Sequence, residues 1–366
     1  MELTCSKEQL QKSLQLAEKH TNKQSSIPTL SGVLLETGKN ILVIRSTDLY
    51  SGFETKIAAQ VKKDGSVVVP ARPMVSLLSS LGDETVDLES RSGNIHIATK
   101  NTATTIKTFD PEDFPKLPKI KIGHRVSFKT GDLLANLKGV YFAASDSDVK
   151  PEIASVLFKG GAENGVKTAA TDSFRLAEKS FRSSIPKTAS FLFPAKSVAD
   201  FVKIIEGFEG EVEFSFDSQH LFVSHPSFSY FTRLVDGNFP DYEQIMPTSF
   251  STEASLDKKS LAESLKLAGV FSGRLKEIKV RTYPDDNLLE ISTSDSELGE
   301  HSSRLPAQIT GESIEISFNQ RYLLEGLEPI SSSGVILRFS GPNKPLLIQS
   351  PQDVSYVYLV MPMKSA

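Results

Sequence analysis

One cysteine, Cys5, is all that the 366 residues contain, so no intramolecular disulfide can form. A reducing compartment, the cytoplasm, is therefore expected. The N-terminus has no apolar run ahead of a cleavage site. Met1 to Lys12 already alternates charged and apolar residues, which argues against a secretory leader. No stretch approaches the roughly 20 apolar residues that a membrane helix needs. An excess of positive charge is also missing: the net charge is -4. That excludes a uniformly basic nucleic-acid binder but leaves room for a basic face offset by an acidic one.

Catalytic motifs are lacking too. Gly160 and Gly165 have phosphate-loop separation, but Val166 stands where the lysine should follow. The segment also lies between two expected strands, so a glycine-rich hairpin turn is the better reading. His220 and His225 form the one close histidine pair. They have no adjacent cysteine or carboxylate cluster, and strand-edge histidines explain them better than a metal site. No Gly-x-Ser-x-Gly elbow occurs, and Cys5 has no placed base. No catalytic residue, metal or cofactor is expected.

What is present is a threefold repeat. Thr47-Asp48-Leu49, Thr171-Asp172-Ser173 and Ser294-Asp295-Ser296 recur at intervals of 124 and 123 residues. The corner Val69-Pro70-Ala71-Arg72 recurs as Phe193-Pro194-Ala195-Lys196 and Phe318-Asn319-Gln320-Arg321. Valine-led hairpins open at Val86, Val212 and Val335 in the same order. Three anchors in register fix a domain-scale repeat, and the length suits several domains. Asp48, Asp172 and Asp295 read as turn formers bonding nearby amides.

Each repeat reads as helix, strands, helix, strands. Leu10, Leu14 and Ala17 share one helical face, as do Leu133, Leu134, Leu137 and Val140, and Leu261, Leu265 and Ala268. Asp132 and Asp257 are expected at helix starts. Second helices are expected near 72–81, 196–206 and 320–327. The fold class is α+β, with each pair of helices packed on antiparallel sheets. Boundaries are expected in the proline-rich stretch Phe114-Pro115-Lys116-Leu117-Pro118 through Gly123 and near Met246-Pro247-Thr248. The domains are then 1–122, 123–247 and 248–366.

Three segments carry a family resemblance: Thr171 to Ala177, Leu234-Val235-Asp236-Gly237-Asn238-Phe239-Pro240-Asp241-Tyr242, and Tyr358-Leu359-Val360-Met361-Pro362-Met363-Lys364. With the Val69 corner they span the chain, which resembles the bacterial replicative sliding clamp, the beta subunit of DNA polymerase III. The resemblance implies three DNA-clamp domains and a head-to-tail homodimeric ring around duplex DNA. It implies a processivity factor, not an enzyme. The alternative is a repeat-built peptide-binding adaptor that never encircles DNA.

The resemblance also implies sites. A hydrophobic groove for short partner peptides would use Ile153, Thr171, Ser173, Phe174, Arg175, Leu176, Pro240, Ile245, Asn319, Tyr322, Pro345, Val360, Met361, Pro362 and Met363. Partners would be the polymerase III alpha subunit, the clamp loader, other polymerases, mismatch repair proteins and ligase. Sequence-independent DNA contacts would come from Lys23, Arg72, Lys150, Lys196, Lys203 and Lys266, with Lys12, Lys19, Lys138, Lys259 and Arg321 as further candidates. Lys12 and Lys19, Lys196 and Lys203, and Lys259 and Lys266 are each seven apart, hence on one helical face. The bland reading is a solvated face, with Glu8, Glu18 and Glu263 nearby. The subunit contact would pair Val270 and Phe271 at a helix end with Thr104 and Ile106 on a strand. Departures are Ser173 and Phe174 where many members have glycine and histidine, Gln244 where an arginine can occur, and a loop Ser145 to Glu152 without aromatics, which leaves Lys150 to face DNA alone. The polar end Lys364-Ser365-Ala366 follows the methionines.

Overall fold

The computed structural model describes residues 1–22, 24–116, 124–161, 165–183, 185–186 and 189–363. The same order of elements occurs three times. The first copy runs Glu2–Ser6, helix α1 (Lys7–Glu18), four strands ending at Ser66–Pro70, helix α2 (Ala71–Ser80), then Thr85–Arg91, Asn94–Ala98 and Ala103–Lys107. The second begins at His124–Lys129 and places helix α3 (Thr130–Val140) and helix α4 (Ala195–Ile205) likewise. The third begins at Thr252–Asp257 and carries helix α5 (Lys258–Val270) and helix α6 (Gln320–Leu327).

Local chemistry explains the helix starts. Ser6 accepts a hydrogen bond from the Gln9 amide, Asp257 accepts from Ser260, and Asn319 accepts from Arg321 and Tyr322. Each satisfies amides that have no partner in the first turn. Asp132 differs from expectation: it falls inside the first turn of α3, which starts at Thr130. All three corner motifs end a strand and start a helix, at Pro70/Ala71, Pro194/Ala195 and Asn319/Gln320. Arg72, Lys196 and Arg321 are thus the second residues of α2, α4 and α6. The expected apolar faces are buried, Leu10, Leu14 and Ala17 in α1, Leu133, Leu137 and Val140 in α3, and Leu261, Leu265 and Ala268 in α5, except that Leu134 of α3 is only half-buried. Fully burying one such leucine contributes about 1.5–3 kcal/mol.

The three copies are distributed over two compact units. One comprises residues 1–130 and 200–234; the other comprises 131–199 and 235–366. Strand pairing accounts for the division. In the first unit Phe228–Arg233 pairs antiparallel with Ser51–Lys63 and completes a twelve-stranded sheet. In the second, Arg175–Arg182 pairs with Tyr356–Val360 inside a nine-stranded sheet. Half of the middle repeat therefore joins each neighbour. Among the described residues, Ala103–Lys107 ends the twelve-stranded sheet, and Gly299–Pro306 ends a four-stranded sheet of the second unit. In that unit α6 lies close on the sheet because Gly326 has no side chain. A Cβ there would stand 2.1 Å from the Tyr358 ring.

The Gly160–Gly165 segment joins two strands of a hairpin, Ser155–Gly160 and Gly165–Thr171. His225 packs against Phe208 and Phe228 and bonds the Glu209 carbonyl, while His220 lies beside Asp217. Cys5 is buried, and burial pushes its thiol pKa up to about 12. Among the described residues no cluster of histidine, cysteine and carboxylates could hold a metal, and no helix is long and apolar enough to cross a membrane.

Candidate functional site

The Asp172 turn builds one wall of the candidate site. The Asp172 Oδ1 accepts from the Phe174 and Arg175 amides at 2.9 and 3.0 Å. Thr171 Oγ1 donates to the Arg175 carbonyl at 2.6 Å and accepts from the Ser173 amide at 3.1 Å. Ser173 is held at φ 77°, a left-handed conformation that a glycine would adopt without steric cost. These bonds fix a tight corner and push the Phe174 ring outward, where it is 62% exposed. Asp48 and Asp295 make the same paired bonds, to Tyr50 and Ser51 and to Glu297 and Leu298. The three aspartates are turn formers that bond the amides after them, as read from the sequence.

Arg175 points the other way, into the protein. Its Nε donates to Asp172 Oδ2 at 2.9 Å, its Nη1 to Glu325, and its Nη2 to the Phe142 carbonyl at 2.8 Å. The guanidinium plane lies 4.4 Å from the Tyr322 ring centre. Burial opposes its charge, but Tyr358, Glu325 and Asp172 outweigh burial and hold the pKa above its ordinary value. Buried charge is tolerated here because it is paired and hydrogen-bonded.

The C-terminal strand supplies the adjoining surface. Arg175 sits opposite Val360 and Leu176 opposite Leu359 in the sheet. The Met361 amide donates to the Phe174 carbonyl at 2.8 Å, and the Met363 amide to Ser317 at 2.8 Å. This brings Met361, Pro362 and Met363 beside Phe174 on one side and near the start of α6, with Asn319 and Tyr322, on the other. Pro345 immediately precedes the strand Leu346–Gln349, in which Leu346 is paired with Val360. Leu176 packs with Leu157, Leu192, Tyr242 and Leu359, and Val235, Phe239 and Met246 cover that cluster. Tyr242 donates its hydroxyl to Glu178 at 2.6 Å and its amide to the Pro240 carbonyl. Ile245, next to Met246, is 54% exposed. Ile153 is half-buried and bonds Ser145 and Lys150 through its backbone. Gln244 bonds Asp241.

The residues in this neighbourhood divide into two kinds. Leu176 and Val360 are core, with 1% and 0% exposure, and Thr171 and Arg175 are also buried. Phe174, Ile245 and Met361 are the large exposed apolar members, and Pro240 is exposed as well. Sequence reasoning missed Glu325 and Phe142, which anchor Arg175. Their only sequence signal was the Asp172–Arg175 spacing, which shows that the arginine has a local acid but not a distant one.

The basic candidates occupy helix faces. Arg72, Lys196, Lys203 and Lys266 are exposed, as is Lys150 on its loop. Lys23 lies outside the described residues, as do 117–123 of the first boundary stretch and the terminal Lys364-Ser365-Ala366. Lys12 pairs with Glu8, Lys259 with Glu263, Lys203 with Asp200 and Arg321 with Glu325, all within one helix. Partial burial and the nearby Lys203 charge lower the Lys19 pKa, so two cations share a face of the first unit.

At the end of α5, Val270 is 64% exposed, but Phe271 is not free as expected. It is half-buried because its ring stacks flat on His301, with 5.9 Å between centroids. Leu267 and Leu275, also exposed, enlarge this apolar end. Thr104 and Ile106 lie on the sheet-ending strand Ala103–Lys107, half-buried and alternating with exposed residues.

Three domain families match in order: the N-terminal, central and C-terminal domains of the DNA polymerase III beta subunit, over residues 1–118, 128–241 and 243–364. The beta sliding clamp of Synechococcus elongatus is 26% identical over 100% of this chain and 99% of its own length. That of Bacillus subtilis is 27% identical over the whole of both. The crystal structure of the B. subtilis DNA polymerase sliding clamp superposes over 100% of both chains with a TM-score of 0.92 at 26% identity. The chain belongs to the DNA polymerase III beta subunit family, the bacterial sliding clamps.

Proposed function

We propose that two copies of this chain close head to tail into a ring around duplex DNA and hold replication and repair proteins there by their peptide tails. As a member of its family the chain is a DNA polymerase processivity factor and not an enzyme. Each copy would contribute domains 1–122, 123–247 and 248–366. Retention on DNA would come from topology: a closed ring cannot leave without opening, so its inner contacts need only be weak and directed at phosphates. Arg72, Lys150, Lys196, Lys203 and Lys266 are our choices for those contacts. Replication on the chromosome places the protein in the cytoplasm.

One observation supports ring closure: each unit has a sheet that ends in an open edge strand, Ala103–Lys107 in the first unit and Gly299–Pro306 in the second. Open edges seek partners, and heterologous contacts between two such copies close about a two-fold axis. Val270 and Phe271 would then meet Thr104 and Ile106 of the other copy. Replacing Val270, already exposed, or Phe271 with aspartate should convert a dimer to a monomer in sedimentation. An unchanged mass for both variants refutes the assignment.

The groove reading rests on the exposed Phe174, Ile245 and Met361 around a buried apolar floor that includes Leu176 and Val360. Methionine and aromatic surfaces accept varied leucine and phenylalanine anchors. The polymerase III alpha subunit, the clamp loader, other polymerases, mismatch repair proteins and ligase are the proposed users. Arg175 shapes the wall and does not hold the peptide, because its Nε and both terminal nitrogens already donate within the protein. An adaptor that never encircles DNA is disfavoured by the full-length likeness to sliding clamps.

A further inference from the structure

The Asp48 corner of the first unit repeats the Asp172 corner bond for bond. Thr47 Oγ1 donates to the Ser51 carbonyl at 2.7 Å and accepts from the Leu49 amide at 3.0 Å. Asp48 Oδ1 accepts from Tyr50 at 2.9 Å, and Leu49 stands at φ 75°. The Arg233 amide donates to the Tyr50 carbonyl at 2.9 Å, as Met361 does to Phe174. Tyr50 therefore occupies the place of Phe174, and Arg233 that of Met361.

The side chains differ in a directed way. Tyr50 is 66% exposed and Leu49 41%. The Arg175 position is taken by Ser51, buried and bonded to Asp48 and to His20 Nδ1. The cation comes instead from the other strand. Arg233 is exposed, its guanidinium lies 5.3 Å from the Tyr50 ring centre, and among the described residues no carboxylate pairs with it. Asp48 takes the Tyr50 and Ser51 amides and the Ser51 hydroxyl on its Oδ1, and among the described residues its Oδ2 makes no ion pair with Arg233, unlike Asp172 Oδ2 with Arg175. His20 beneath is held neutral by burial between Phe53 and Tyr230. The corner thus presents two apolar side chains and one unpaired positive charge. The Asp172 corner instead presents apolar side chains over a guanidinium neutralised by Asp172 and Glu325.

We propose that the Leu49–Tyr50–Arg233 corner is a second peptide-docking surface, for an extended partner segment with an acidic residue next to a leucine or aromatic one. The carboxylate would bond Arg233, and the apolar residue would lie on Leu49 and Tyr50. A charge-assisted bond at an exposed corner gives selectivity with modest affinity. The inference extends the groove reading of the Phe174 corner, from which the analogy starts, and can be tested apart from it.

The probe is a synthetic peptide, Gly-Asp-Asp-Leu-Bpa-Gly, where Bpa is photoreactive benzoylphenylalanine, with a Lys-Lys counterpart as control. It is crosslinked to the intact full-length protein and the adducts are mapped by mass spectrometry. Adducts are expected within 48–51 or 231–234 as well as around Phe174 and Met361. Arg233→Glu, or the Lys-Lys probe, should cut the first set by about tenfold or more and leave the second within about twofold. Arg233→Gln should give an intermediate loss. Absence of adducts in the first set, or indifference of that set to Arg233→Glu and to probe charge, overturns the proposal. Adducts at the first corner alone would sink the groove reading and leave this one standing.

Discussion

Arg175→Met should loosen the junction between Arg175–Arg182 and Tyr356–Val360. The arginine is 7% exposed, and the carboxylates it neutralises are largely buried, Asp172 at 14% and Glu325 at 22% side-chain exposure. Removing one partner of a buried ion pair costs about 3–5 kcal/mol. The low end applies here, because each acid keeps other donors. Asp172 retains two backbone amides, and Glu325 retains Arg321 at 2.6 Å. Methionine also fills most of the vacated volume beside Tyr322 and Phe142. We expect about 3 kcal/mol of local destabilisation. Hydrogen exchange at the amides of the two strands reports it directly, and 3 kcal/mol corresponds to roughly a hundredfold faster opening. The double variant Arg175→Met, Glu325→Leu removes the stranded acid and should recover about 1–2 kcal/mol. Protection changed by less than about threefold in the single variant would refute the view that this guanidinium ties the two strands together.

Two further predictions concern charge. Burial lowers the His20 pKa from 6.5 to about 4, so between those values the unfolded chain binds more protons than the folded one. Stability should therefore fall as pH drops from 6.5 to 4, by up to about 3 kcal/mol at 1.36 kcal/mol per pKa unit. His20→Phe should flatten that part of a melting-temperature profile, and parallel profiles for the two proteins would exclude His20 as the source. Arg72→Glu and Lys196→Glu should each lower the salt slope of weak DNA binding by about one phosphate contact. Binding curves at several salt concentrations test this, and unaltered slopes would remove these residues from the DNA-facing set.

The triplicate was legible because its anchors are local. An aspartate that bonds the two or three amides after it needs nothing from elsewhere in the chain, so Asp48, Asp172 and Asp295 could be read as turns from sequence. The same holds for the strand-to-helix corners at Ala71, Ala195 and Gln320, and for the leucine spacing in α1 and α5. What sequence concealed is non-local. The division of the middle repeat between two units follows from strand pairings 173 to 185 residues apart, such as Thr55 with Phe228 and Arg175 with Val360. Glu325 reaches Arg175 across 150 residues. The resemblance offers Phe271 with Val270 as an exposed apolar pair at a helix end, but the stack of Phe271 on His301 depends on a strand 30 residues away. Leu176 and Val360 carry the family motif yet sit in the core, where a motif alone cannot distinguish floor from rim.

The central claim is enclosure of DNA, and one measurement addresses it most directly. The protein is loaded onto a nicked circular plasmid by a clamp loader and separated from free protein, and the circle is then cut once with a restriction enzyme. A closed ring should stay on the intact circle through high salt and leave within minutes of linearisation by sliding off the ends. Equal retention on circular and linear DNA, or loss from the circle whenever salt is raised, would contradict it.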